Sequence, residues 1–426
     1  MKGFRLEPFF CILLFMKFSF LLILTTMLSF SCHLQENKSG LLENYLNDLL
    51  TALPGENEDL YQIPDSLQLE QWATIIQAIQ EENTSLAHQL AANLNYQILR
   101  FSDSSQHQER EFWVLEEKNP QQHYWGSYIF NPNACRSSLV LQAPHSKYDF
   151  NTGKQAVYNF IRLDCYALML NGAHRCNHTA YSSCSGTTSV CDGSSASFRA
   201  SDQAHMSLSC FQKTTEVLLE NHYFIQLHGF SKLASDPYVI ISNGTRNKPV
   251  EDKISSLVLA LQTIDPTLTF KVAHEDLDWD RLLAFTNVQG RMINGNSFIE
   301  SCTKSADQAS GHFIHIEQEK ERLRADSSGW HKMYLALSET FDCQASAQLK
   351  ELTFQIYPNP NHQGVLMLKS QAKIQKIKLI NELGQVVQEW EHPKSELQLR
   401  VPKGLYLIWI QTDRGCYSEK IYIDPS

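Results

Sequence analysis

Apolar and polar positions follow different periods in successive parts of the chain, and the changes of period divide it. From residue 33 to about 110 the apolar residues recur at helical spacing. Leu41, Leu42, Tyr45, Leu46, Leu49 and Leu50 mark a helix that Pro54 and Gly55 close. Leu67, Trp72, Ile75, Ile76 and Ile79 mark a second, and a third is predicted from Ser85 to about Ile98. The remaining faces of these helices are charged or rich in Gln and Asn, so the segment reads as a helical lead-in packed on the main domain.

From Glu111 the pattern shortens to strand-like runs. EFWVLEEK, HYWGSYIFNP, LVLQAPH, FIQLHGF, YVIISNGT, TFKVAHE and FIHIEQ alternate with helical stretches such as Gly153 to Asp164, Met206 to Glu220 and Pro249 to Ile264. Such alternation predicts an α/β domain over 111–347, with a mixed or mainly parallel sheet flanked by helices. Beyond about Leu349 helical spacing disappears. Short runs punctuated by Asn-Pro, Leu-Gly and Lys-Gly steps predict a small all-β, immunoglobulin-like sandwich of about seven strands over 352–426.

Chemistry concentrates at three predicted strand ends. Leu139, Val140 and Leu141 run into Pro144, which cannot donate to a strand ladder, so His145 and Asp149 stand at the exit of that strand. Ligands in open α/β sheets bind at such exits, and an imidazole and a carboxylate four residues apart make half of a metal site. A second run, Tyr223 to Leu227, ends in His228 followed by Gly229. The His/Asp/His set of His145, Asp149 and His228 would leave one position of a tetrahedral zinc ion open for water. In the third run, Phe313 to Gln318, Glu317 is the expected general base. Arg175 in GAHRCNH and Arg291 in NVQGRMINGN are candidates to bind a substrate carboxylate or to polarise the scissile carbonyl. His174 and His205 are second choices as pocket residues.

The ends and the cysteines place this chemistry outside the cell. Residues 1–31 carry Lys2, Arg5 and Lys17 around a short apolar core from Phe18 to Leu28, as a signal peptide does, and Met16 would also serve as a start. Cys32 directly after Ser31 allows a lipoprotein reading. No later stretch approaches the ~18 apolar residues of a spanning helix, so no transmembrane helix is expected in the mature chain. Beyond Cys11 and Cys32 there are nine cysteines, five of them between Cys165 and Cys210, and several should be disulfide-bonded in an exported chain. The spacing leaves their connectivity open, with a zinc-thiolate cluster of Cys176, Cys184 and Cys191 as the competing reading. With 36 basic against 46 acidic residues, a net charge of -10 and no dense basic cluster, no nucleic-acid partner is expected.

Two regions resemble known families. Tyr357-Pro358-Asn359-Pro360 with Gly364, the run IKLINELGQVV, Gly404-Leu405-Tyr406 and the closing Gly415 to Ile423 resemble the C-terminal sorting domain of proteins exported by the type IX secretion system of Bacteroidota. That resemblance implies the type IX machinery as a partner, with the protein secreted or held at the cell surface on the outer membrane. Pro144-His145 with a carboxylate soon after, a strand ending in His228-Gly229, and Glu317 followed by Arg322 and Arg324 resemble zinc amidohydrolases of the N-formylglutamate amidohydrolase and poly-γ-glutamate hydrolase group. The fold this implies is that of the zinc carboxypeptidases, a phosphorylase/hydrolase-like α/β sheet. The roles it implies are His145, Asp149 and His228 as ligands of one zinc ion and Glu317 as the base. An Asp stands where that group carries Glu, and the Cys-rich insert is foreign to it. The expectation is an exported metal-dependent hydrolase of an amide bond in a small peptide-like, glutamyl or carboxylate-bearing substrate. An ester substrate, or a non-catalytic cell-surface binding protein on a hydrolase fold, is the alternative.

Overall fold

The computed structural model describes residues 36–105, 110–343, 355–362, 364–370, 374–381, 385–412 and 415–424. The expected signal peptide, Cys32 and the expected boundary between 347 and 352 lie outside the described residues.

The described residues begin with β1 (Asn37–Gly40), α1 (Leu42–Thr51), α2 (Ser66–Gln80) and α3 (Thr84–Ala92), then β2 (Tyr96–Asp103), β3 (Arg110–Glu117) and β4 (Ser127–Phe130). Next come β5 (Arg136–Ala143), α4 (Thr152–Leu163), β6 (Cys165–Leu170), α5 (Cys210–Val217), β7 (Tyr223–Gly229) and β8 (Val239–Ser242). The region closes with α6 (Lys253–Ile264), β9 (Phe270–Val272), α7 (Val288–Ile293), β10 (Phe313–Gln318) and α8 (Ser327–Thr340). All ten strands form one mixed sheet in the order β1-β2-β3-β4-β6-β5-β7-β10-β8-β9. Its centre, β6-β5-β7-β10, is parallel throughout. The carboxyl ends of β5, β7 and β10 therefore emerge on one edge.

The third helix stops earlier than its spacing predicts. Asn95 takes a left-handed conformation (φ 59°), and Tyr96–Asp103 continues as a strand beside β3, so the lead-in contributes β1 and β2 to the main sheet. Tyr96, Ile98, Leu99 and Phe101 are buried on alternate faces, a two-sided burial that helical and strand periodicity share over a short run. The helix expected from Met206 starts at Cys210, because the Ser209 side chain caps it by accepting from Gln212 N at 3.0 Å.

Two apolar cores lie on the two faces of the sheet. One packs Leu139, Leu141, Ile225, Leu227, Ile314 and Ile316 against α1, α4, α6 and α8. The other packs Val140, Phe224 and Phe313 against α2, α5 and α7. On this second face the apolar side chains do not continue to the carboxyl edge. Two residues on, Gln142, Gln226 and His315 replace them, and His228 and Glu317 follow after two more. The polar residues keep the strand period, so their placement on one face is a consequence of backbone geometry.

The C-terminal strands are β11 (Gln355–Tyr357), β12 (Val365–Lys369), β13 (Ile374–Ile380), β14 (Val386–Glu391), β15 (Glu396–Gln398), β16 (Gly404–Thr412) and β17 (Gly415–Ile423). They form antiparallel sheets of three and four strands, β11-β12-β15 and β14-β13-β16-β17. Leu366, Leu368 and Leu397 of the first meet Ile377, Leu379, Ile408 and Ile421 of the second in a shared core.

Candidate metal centre

The turn after β5 is built locally. Tyr148 N and Asp149 N both donate to His145 O at 3.0 Å, which folds the loop back and sets His145 and Asp149 side by side. Asn151 accepts the left-handed conformation (φ 61°) that launches α4, and Gly153 follows where a Cβ would meet Ser146 O at 2.9 Å. At the end of β7, Gly229 leaves room for the Arg324 guanidinium, which a Cβ would strike at 2.1 Å. Arg324 in turn donates to the carbonyls of Gln318 (3.0 Å), Phe230 (3.3 Å) and Phe150 (2.5 Å), tying the exits of β5, β7 and β10 together.

These exits bring His145, Asp149 and His228 into contact, all buried. His145 Nδ1 lies 3.3 Å from Asp149 Oδ2, His228 Nδ1 lies 3.4 Å from the same oxygen, and the two Nδ1 atoms are 3.1 Å apart. The opposite nitrogen of each ring is engaged. His145 Nε2 faces Asp202 Oδ1 at 2.9 Å, and His228 Nε2 faces Gln226 Oε1 at 2.8 Å. An acceptor at each Nε2 fixes the proton there and leaves both Nδ1 lone pairs directed at each other and at the carboxylate. Gly229 N donates to Asp149 Oδ2 at 3.1 Å, and Arg175 Nη1 reaches within 3.4 Å of His145 Nδ1 at the edge of the set.

Both supporting partners are themselves held. Gln226 belongs to a fully buried amide chain, donating to Gln142 (3.0 Å) and Gln289 (3.2 Å) and accepting from Asn287 (2.5 Å). Asp202 collects His145, His205 (Nδ1, 2.9 Å) and Arg175, whose Nε donates at 2.8 Å and whose Nη2 reaches the same oxygen. Burial opposes the charge on Asp202, but Arg175 and the two imidazoles hold its carboxyl well below the usual range. The same contest holds Asp149 low, with His145 and His228 beside it outweighing burial. His145 is raised although burial and Arg175 oppose it, because Asp202 and Asp149 favour a positive charge at that point. Burial takes His228 down to about 4. Glu317 is pushed up to about 8, first by burial and then by the charge of Asp149.

The centre opens into a cavity of about 400 Å³ lined by His145, Arg175, His205, His228, His315 and Glu317. Its outer wall comes from two loops: Thr187, Thr188, Val190 and Phe198 of the Cys-rich insert, and Asp280 with Leu282 to Asn287. Disulfides Cys176–Cys191 and Cys184–Cys302 staple the insert, and Cys135–Cys343 links the start of β5 to the end of α8. Cys176, Cys184 and Cys191 are thus bonded in disulfides, which excludes the zinc-thiolate reading. Among the described residues Cys165 and Cys210 are free and buried.

The structure gathers His145, Asp149, His228, Arg175, His205 and Glu317 and leaves two expected residues aside. Arg291 spends its guanidinium on the carbonyls of Phe285 (2.8 Å), Ser301 (3.3 Å) and Cys302 (3.1 Å) and on Ser185 Oγ (2.8 Å), securing the Cys184–Cys302 loop behind the wall. His174 accepts from Cys176 N at 3.1 Å and packs on Tyr148, outside the cavity lining. The structure adds Asp202, Gln226 and His315 to the expected set. The period of two along β7 and β10 points to Gln226 and His315, each two residues before a chosen site residue. Asp202 lies in an irregular loop where no spacing marks it.

Three further groups have metal-ligand atoms within 4.8 Å of one another among the described residues: His145/Asp202/His205, His228/His315/Glu317 and Asp252/His274/Glu275. The Arg175 guanidinium already neutralises Asp202 in the first. The second shares His228, whose free nitrogen is taken up by Asp149 and His145. Lys248 pairs with Asp252 in the third. Of the four groups, His145, Asp149 and His228 are the ones whose three donor atoms stand within 3.4 Å of one another with the far nitrogen of each ring already engaged.

Residues 355–424 match the family described as the secretion system C-terminal sorting domain. No curated protein matches the chain. Among the described residues no helix is long and apolar enough to cross a membrane. The family resemblance of the last region therefore holds: the chain carries a type IX sorting tail, which implies export by that machinery to the cell surface or the medium.

Proposed function

We propose that this protein is an exported, metal-dependent hydrolase of amide bonds, with His145, Asp149 and His228 holding one zinc ion. The observation that carries the reading is the spacing of the three donors. Ligand atoms ~2.0 Å from a tetrahedral ion stand roughly 3.3 Å apart, and these stand 3.1–3.4 Å apart with their other nitrogens already bonded.

A bound zinc would polarise the scissile carbonyl and lower the pKa of a water to about 7. The protein's own groups supply the rest. Glu317, in the cavity wall within 4.8 Å of a His228 nitrogen and ionised once a bound cation offsets burial and the charge of Asp149, would take the proton of the attacking water and deliver it to the leaving nitrogen. Arg175, clamped by Asp202, directs Nη1 at the edge of the centre, where it hydrogen-bonds the acyl oxygen as charge builds there. Because Arg175 is neutralised by Asp202 and Arg291 lies elsewhere, neither guanidinium is spare for a substrate carboxylate, and an amide of a neutral peptide-like group fits better than an acidic one.

The test is metal content and turnover in the oxidised, chelator-free protein. About one zinc per chain is expected, lost in His145→Ala and in His228→Ala. Glu317→Gln should keep the zinc while turnover on a panel of peptide and acyl-amide substrates falls by at least ~100-fold. A parent without zinc after zinc is supplied sinks the metal centre. Equal turnover in Glu317→Gln removes Glu317 as the base.

A further inference from the structure

The proposed reaction uses Glu317 but not its neighbour on the same face, His315. His315 lies two residues earlier in β10, opposite Gln226 of β7, and is 4% exposed in the cavity wall. Its ring stands 4.4 Å from that of His228. Neither nitrogen has a hydrogen-bond partner among the described residues. Nδ1 is sealed from solvent and unpaired, and Nε2 stops 3.7 Å from Glu317 Oε1, beyond hydrogen-bonding distance.

An imidazole buried this way costs the fold stability that it does not recover, since a side chain such as leucine would fill the place without stripping water from two polar atoms. Phe313, two residues before it on the same face, shows the apolar packing that the strand otherwise uses. A buried N–H without a partner is rarer than a bare acceptor, so the ring proton belongs on Nε2, the nitrogen that faces Glu317. The strand thus carries a donor and a carboxylate 3.7 Å apart on one wall, with the donor left for whatever fills the cavity.

We propose that His315 is a further catalytic residue, whose Nε2–H donates a hydrogen bond to the acyl oxygen of the bound amide. The proposal rests on the metallohydrolase reading and deepens it. His315 supports the oxygen on which charge develops, while Glu317 beside it carries the proton from water to nitrogen. The competing role is purely structural, with the ring a spacer that packs against His228 and keeps that ligand in place.

The experiment compares the full-length oxidised protein with His315→Leu and His315→Gln. Zinc per chain, Tm without ligand and the Kd for acetohydroxamate, a small acyl-oxygen probe, are measured for each. In His315→Leu the zinc content should be unchanged, Tm equal to or above the parent's, and Kd weaker by about tenfold, the loss of one hydrogen bond. His315→Gln, whose side-chain amide can donate from nearly the same position, should recover most of that affinity. A lower Tm with unchanged Kd in His315→Leu makes the residue a spacer and overturns the proposal. Loss of zinc in both variants makes it a metal ligand and overturns it as well. A parent that takes up no zinc fails the hydrolase reading itself, an outcome separate from any difference among the variants.

Discussion

Asp202 is the residue on which most of the site depends. One buried carboxylate holds the tautomer of His145, the ring of His205 and the guanidinium of Arg175. Partners of this kind tune metal ligands nearly as strongly as the ligands themselves. Asp202→Asn, which keeps the shape and removes the charge, should weaken binding of zinc to the proposed centre by roughly 10- to 100-fold in a chelator-competition titration. An unchanged affinity would show that His145 needs no such support. Gln226 does the same for His228 without charge, and the amide chain beneath it leaves that side chain no other orientation.

At the scale of elements, the parallel centre of the sheet decides where function can be. Three neighbouring strands end on one edge, and their shared face turns from apolar to amide to imidazole and carboxylate within four residues. The strands farther out bury polar groups for structural reasons. In β3, Glu116 accepts from Tyr45 (2.5 Å) and Gln97 (3.1 Å), yet burial, the larger effect, raises its carboxyl above the ordinary 4.5. A raised acid favours the fold when protonated, so its contribution is complete below the unfolded value of 4.5 and is lost as pH rises through the folded one. Glu116→Gln should therefore raise Tm at about pH 7 to 8 and leave it nearly unchanged at about pH 4. Melts at the two pH values check this, and equal shifts at both would assign the effect to packing instead.

For the whole molecule, the disulfides divide the work between frame and wall. Cys135–Cys343 closes a loop of 208 residues around the α/β region and touches no site residue. Replacing both cysteines by serine should cost about 2–5 kcal/mol of stability, seen as a Tm lower by several degrees, with zinc content unchanged. A concurrent loss of zinc would mean that the frame also sets the ligand geometry. The other two pairs instead hold the insert that forms the outer cavity wall, so they bear on what can enter the site. The sorting tail accounts for all three, because a chain exported by that route meets the oxidising surroundings in which disulfides persist.

The sequence by itself determined the elements whose cause is local. Apolar runs that stop at Pro144, at His228-Gly229 and at Gln318 mark strand exits, and the turn residues of the last region mark its short strands and its family. Those exits made His145, Asp149, His228 and Glu317 candidates, since a strand's end and a side chain's face follow from period and punctuation alone. What only the tertiary structure decided depends on long-range pairing. Strand order put β10 beside β7, which brings His315 and Glu317 to His228 across about ninety residues of chain. An irregular insert with no period of its own delivered Asp202 beneath His145, and its disulfide connectivity could not be read from spacing. Arg175 and Arg291 look alike in sequence, each among glycines and asparagines. The fold gives one a carboxylate at the cavity and the other a set of backbone carbonyls behind the wall, because a guanidinium's role is set by the acceptors that surround it.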